Sequence, residues 1–206
     1  GTVNSFFIGF TATFIATTLG TLAALGLSRP HMPYKGLIMA ILISPMIVPL
    51  IITAAGMFFF YARINLVYTF TGVILAHVAL ATPFVVITVT ATLVGFDMNM
   101  VKASQSLGAR PVRTFFKVIM PLILPGVISG ALFAFITSFD EVVIVMFMAR
   151  LDQLTIPKQM WAGIRQEISP VILCMATCLV VLSIFLLTTV ELLRRRSEKL
   201  RGITAR

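Results

Sequence analysis

Five long stretches of nearly uninterrupted apolar side chains alternate along the chain with short segments that carry most of its charge. They lie at Ser5–Leu27, Gly36–Tyr61, Phe70–Leu93, Val118–Phe139 and Val171–Leu193. About 20 helical residues cross a hydrocarbon layer of about 30 Å, so each stretch is long enough for a span. Runs of this length lack the alternation of a barrel strand, and an unclosed strand in lipid would leave its backbone donors and acceptors unpaired. The pattern therefore predicts an all-α, polytopic membrane helix bundle with five spans, forming one transmembrane domain over residues 1–206.

Composition agrees and narrows the classes. Of 206 residues 59% are apolar and 11% charged, with a mean hydropathy of +1.04, where soluble domains carry about 25% charge. Disorder and collagen are excluded, and Cys174 and Cys178 are too few for a disulfide scaffold. The net charge of +9 would suggest nucleic acid on a soluble face, but here the basic residues fall between apolar runs, so no nucleic-acid partner is expected. Alternate crossings put Arg29, Lys35, Lys102, Arg110, Arg113, Lys117, Arg194, Arg195, Arg196, Lys199, Arg201 and Arg206 on one side. Arg63, Arg150, Lys158 and Arg165 fall on the other, twelve against four. The first side is then cytoplasmic and the C-terminus lies inside, with the terminal RRRSEKLR run near anionic lipid. Five crossings that end inside begin outside, and a sixth span before Gly1 is expected in the intact chain.

The segment Val94–Lys117 is longer than two neighbouring spans need. Asp97 can cap a helix that starts at Met98, with Met100, Ala103 and Leu107 on one face and Lys102, Gln105 and Ser106 on another. Gly108 permits the left-handed stop, and Pro111 prevents early resumption. Two readings of this short cytoplasmic helix compete. It lies on lipid headgroups, helped by Arg110, Arg113 and Lys117, or it docks on a partner that the small residues Ala103, Ser104 and Ala109 let approach.

The run VKASQSLGARPVRTFFKVIMPLI resembles the cytoplasmic signature loop of permease subunits from binding-protein-dependent ABC importers. That pattern is Glu-Ala-Ala, three residues, Gly, nine residues, then Ile, any residue, Leu-Pro. Gly108 is followed at that spacing by Val118, Ile119, Met120 and Pro121, while Lys102 stands in place of the acid and Ser104 in place of the second Ala. The likeness extends through SRPHMPYKG, ISPMIVP, TPFVVITV and ISPVI, and is similar to the second permease of spermidine/putrescine-type importers. The resemblance implies a bacterial inner-membrane, multi-pass protein that pairs with a second permease, two ATPase subunits and an external solute-binding protein. It implies coupling to the ATPases through residues 97–109, with Lys102, Ala103, Ser104, Leu107, Gly108, Ala109 and Pro121 as coupling residues, and half of a path for a polyamine or related cationic amine. No cofactor is expected in this chain, with ATP and Mg held by the ATPases. The sequence contains no phosphate-binding Gly-x-x-x-x-Gly-Lys-Ser/Thr loop, no metal-ligand cluster and no evident nucleophile–base pair, so it is not expected to be an enzyme.

Within the spans, Ser138, Asp140 and Glu141 close the fourth. Carboxylates deep in a bilayer cost about 2.5–3.5 kcal/mol on insertion scales, so they face protein, a cavity or water. They are either solvated at a helix end or line the entry of a translocation path for a cation. Pro45 and Pro49 interrupt the second span and Pro83 the third, removing backbone donors, and the first pair suggests a path-lining bend. Gly126 and Gly130 form a close-contact step whose neighbour is open. His77 is expected in an interhelical hydrogen bond more often than in the path, and the two Cys act as small apolar residues. Trp161, in the outer segment Arg150–Pro170, serves a binding protein or anchors at the interface. A stand-alone secondary transporter or channel, and a membrane anchor, are the alternatives. The first lacks evident repeats and coupling charges, and the second does not need the patterned loop.

Overall fold

Lipid offers no hydrogen bonds, so apolar runs become helices that satisfy their own backbone and then pack wherever small side chains let them approach. The computed structural model describes residues 1–29, 31–94, 98–166 and 170–200, and no strand occurs among them. In chain order the helices are α1 (Thr2–Leu27), α2 (Lys35–Ile47), α3 (Leu50–Arg63), α4 (Phe70–Val94), α5 (Met98–Ser106) and α6 (Pro111–Thr114). A π-helical turn, Phe115–Ile119, joins α6 to α7 (Met120–Phe139) as one rod. Then follow α8 (Val143–Met148), a single 3-10 turn at Leu151–Gln153, α9 (Ile156–Gln166) and α10 (Pro170–Leu200).

The centre is a three-helix bundle of α1, α4 and α7. The buried face of α1 is built from Gly9, Ala12, Ala16, Gly20 and Ala24, a three- and four-residue repeat of small side chains. A Cβ on Gly20 would lie 2.7 Å from the Val85 Cβ. Gly126 and Gly130 find their neighbour within this chain: Cβ atoms there would meet Thr92 Oγ1 and Thr88 Oγ1 at 2.5 Å. Those hydroxyls donate back into α4, Thr88 to the Phe84 carbonyl at 3.0 Å and Thr92 to that of Val89 at 2.7 Å. They therefore sit against glycine with their polar needs met.

Phe7 stacks edge-on with Phe70 and Gly20 abuts Val85, so α1 and α4 run parallel. The rod of α7 runs the other way, with Gly126 beside Thr92 and Ser138 beside His77. This topology gathers Arg29, Lys35, Lys102, Arg110, Arg113 and Lys117 at one end of the bundle and the segments 64–69 and 140–158 at the other.

One expectation is corrected. The stretch Gly36–Tyr61 is not one kinked helix but two, α2 and α3, bent by 106°. Val48 and Pro49 are both extended, with ψ of 134° and 129°, and two such residues in succession break a helix rather than kink it. Pro83, by contrast, leaves α4 unbroken and is buried within it. Among the described residues, three helices are long and apolar enough to cross a membrane, or four with the bent pair. The fifth expected stretch, Val171–Leu193, falls within α10. The Asp97 cap lies outside the described residues.

Candidate functional site

Two places collect the residues singled out from sequence. The first is at the basic end. Helix α5 stops in a Schellman arrangement: the Gly108 N–H donates to the Gln105 carbonyl at 2.9 Å and the Ala109 N–H to the Ser104 carbonyl at 3.1 Å. Gly108 has φ of 80°, the left-handed region in which a Cβ is penalised. The chain then turns and restarts with Pro111 in the first turn of α6, where its missing N–H costs nothing. The hydroxyls of Ser104 and Thr114 lie 3.0 Å apart and tie α5 to α6.

Between α5 and the rod that follows runs an open groove of about 760 Å³. Ala103, Ser104, Leu107 and Ala109 line it with Lys117 and Pro121. Leu107 is 88% exposed, so the apolar face of α5 is not spent on this chain's own core. Lys102 is exposed and is not among the residues that line the groove. The π-helical turn below was not legible in advance. In it the Met120 N–H reaches back to the Phe115 carbonyl, and Pro121 next supplies no donor, so the helical register changes where the loop enters the span.

The second place is where α7 ends. Ser138 is buried and lies 2.8 Å from His77 Nδ1, so the structure turns it to α4. The interhelical hydrogen bond expected of His77 is present. Glu141 is buried too, and its Oε1 accepts the Ile144 N–H at 2.7 Å, opening α8. Asp140 between them is exposed. The Tyr68 N–H donates to the Met148 carbonyl at 2.9 Å, which pins the far end of α8 just before the start of α4. His77 lies seven residues into α4, about two helical turns, so α7 stops short and α8 climbs the remaining distance beside α3 and α4. Asp140 thus sits at a helix break set back from the end of the bundle.

Short α8 went unrecognised in the sequence because VIVMFM, cut off from the fourth stretch by Asp140 and Glu141, is too short to show a helical period. The one available signal was Glu141 three residues ahead of Ile144, a side-chain cap in an apolar setting. Pro45 lies inside α2 and Pro49 caps α3 at the break, both away from Asp140 in the chain. Trp161, on α9, is 47% exposed. Cys174 and Cys178 are free and exposed on α10. No cluster of metal-ligating side chains occurs among the described residues.

A family model described as the binding-protein-dependent transport system inner membrane component matches residues 16–199. The spermidine/putrescine transport system permease protein PotC of Haemophilus influenzae is 31% identical over 196 residues, covering 95% of this chain and 76% of that protein. The putrescine transport system permease protein PotI of Escherichia coli is 35% identical over 103 residues, 50% of this chain and 37% of that one. Among solved structures, a chain of the inward-facing MetNI methionine ABC transporter superposes with a TM-score of 0.66 at 19% identity, covering 98% of this chain and 94% of its own. That likeness speaks for the fold alone. A signature loop in register, a helical bundle of ABC-permease shape and a family match over most of the sequence agree: the chain belongs to the binding-protein-dependent transport system inner membrane component family, the permeases of ABC transporters.

Proposed function

We propose that this chain is one of two permease subunits of an ATP-driven importer for a small cationic amine, and that α5 is the element on which an ATPase subunit pulls. The observation that carries the coupling role is the rigid stop at Gly108, tied to α6 by Ser104 and Thr114, with exposed Leu107 beside an open groove. A docked ATPase would fill that groove, and its closure on ATP and Mg would move α5 and the rod of α7 as one lever. Lys102, Ala103, Ser104, Leu107, Gly108, Ala109 and Pro121 are the coupling residues in this reading, with the basic end of the bundle and the C-terminus cytoplasmic.

Asp140 supports the cationic class. An exposed carboxylate at a helix break set back from the bundle's end is costly against lipid and natural against a water-filled path. The names of the two relatives, spermidine/putrescine and putrescine permeases, point to the same chemistry. Pro45 and Pro49 would shape the path through the α2–α3 elbow, and an external binding protein would deliver the solute.

Purification from native membranes tests the assembly. A copurifying ATPase whose activity rises with an external binding protein and a diamine supports the reading. Flux driven by an ion gradient through the isolated chain would replace it with a secondary transporter.

A further inference from the structure

His77 and Ser138 meet inside the bundle, and neither is accessible to solvent. The other imidazole nitrogen, Nε2, is buried without a hydrogen-bond partner. An unpaired buried polar atom costs about 1–3 kcal/mol, so for filling space alone a Phe or Leu would serve better than this histidine. What the imidazole adds is the bond from Nδ1 to Ser138. That bond joins α4 to the last turn of α7, two residues before Asp140. Beyond the break the chain is already secured, by Glu141 on the Ile144 N–H, by Tyr68 on Met148, and by Gln153 Nε2 donating to the Tyr68 carbonyl at 3.0 Å. Asp140 itself has its N–H bonded to the Ile136 carbonyl at 3.0 Å, so its direction follows the final turn of α7.

We infer that His77 is a positioning residue for Asp140: its bond to Ser138 fixes the rotation of the last turn of α7 and thereby presents the Asp140 carboxylate to the aqueous path. The inference rests on the reading of Asp140 as a path residue, and it concerns geometry rather than chemistry at His77. Without the bond the last turn is held only by its own helix and by the apolar packing of Phe135 and Phe139 on Phe10 and Phe6, which fixes its rotation less sharply than a directional bond, and neither Glu141 nor Tyr68 holds that turn directly.

Labelling kinetics test it in vesicles that hold the assembled transporter. With Cys174→Ser and Cys178→Ser as background, Asp140→Cys is treated with a positively charged methanethiosulfonate, and Leu151→Cys, at the 87% exposed Leu151, serves as control. His77→Phe should change the rate at position 140 by about tenfold, the equivalent of roughly 1.4 kcal/mol, and leave position 151 unchanged. His77→Asn, whose amide can take the place of Nδ1, should restore the rate. Ser138→Ala should match His77→Phe, and the double variant should be no worse than either single one; it also replaces His77→Phe if that variant does not accumulate. With Asp140 in place, His77→Phe should raise the KM for a diamine and spare maximal uptake. Labelling at 140 that ignores both His77→Phe and Ser138→Ala, or that shifts in step with position 151, overturns the inference alone. A position 140 that never reacts overturns the path reading and this inference with it.

Discussion

Gly130 of α7 lies so close to Thr88 of α4 that a Cβ on the glycine would fall 2.5 Å from Thr88 Oγ1 and 2.9 Å from the Val85 Cα. The second of these contacts is backbone and cannot swing aside. Gly130→Val should therefore force α4 and α7 apart, at or above the roughly 1–3 kcal/mol usual for overpacking. Gly130→Ala should cost less, because only one carbon must be fitted. Thermal unfolding in detergent checks both, and a valine variant as stable as the parent would contradict the packing.

Gly108 makes the opposite case. Nothing lies within 4 Å of a Cβ built there, so substitution costs only what the left-handed backbone imposes, about 1–2 kcal/mol for an ordinary side chain. Gly108→Asn should retain most solute uptake, since Asn tolerates this conformation. Gly108→Val should end α5 elsewhere, keep ATP hydrolysis and lose uptake. Equal uptake by both variants in reconstituted vesicles would remove the stop from the coupling mechanism.

Adjacent carboxylates should separate by role. Asp140→Asn should weaken uptake of a cationic amine about tenfold, an effect of roughly 1.4 kcal/mol, without lowering stability. Glu141→Ala should instead lower stability by about 1 kcal/mol, the usual loss when a helix-start acceptor is deleted. Glu141→Gln, which still offers an oxygen to the Ile144 N–H, should be milder. Uptake kinetics and unfolding midpoints measured on the same preparations separate the two effects.

Lys158 carries a pH dependence. Its Nζ donates to the carbonyls of Val145 and Ala149 at 3.0 and 3.2 Å, closing α8, and burial pushes the ammonium below its ordinary value of 10.5. The folded state thus releases this proton at lower pH than the unfolded chain does. Between the folded value and 10.5 the unfolded state binds more protons, so stability from this group rises with pH across that window. Unfolding curves should show this rise in the parent and not in Lys158→Gln; a parallel pair would dismiss it.

What could be read from sequence followed how local each cause is. The stop at Gly108 was legible because one residue type suits its conformation, and the GxxxG contact because its cause is the side chain's absence. The neighbour of that contact was hidden, since Thr88 and Thr92 satisfy their hydroxyls within α4 and carry no outward mark. ISPMIVP announced a bend but not its size, because the 106° turn comes from Val48 and Pro49 being extended together. The latch of His77 on Ser138 spans 61 positions, and no periodicity connects residues that far apart. Phe115–Ile119 reads as ordinary helix, and its π register appears only in three dimensions.

The elbow between α2 and α3 bears on how the protein survives before it is assembled. Helix α2 has 13 residues and α3 has 14, about 20 Å each, so neither arm alone matches the thickness of the hydrocarbon. Helix α2 touches α4, yet none of its residues is fully buried against its own chain. The carbonyls left open at the corner are costly in hydrocarbon until another protein shields them. An orphan copy is thus a badly solvated guest of the bilayer, and membrane proteases should clear it faster than the copy whose corner has been covered.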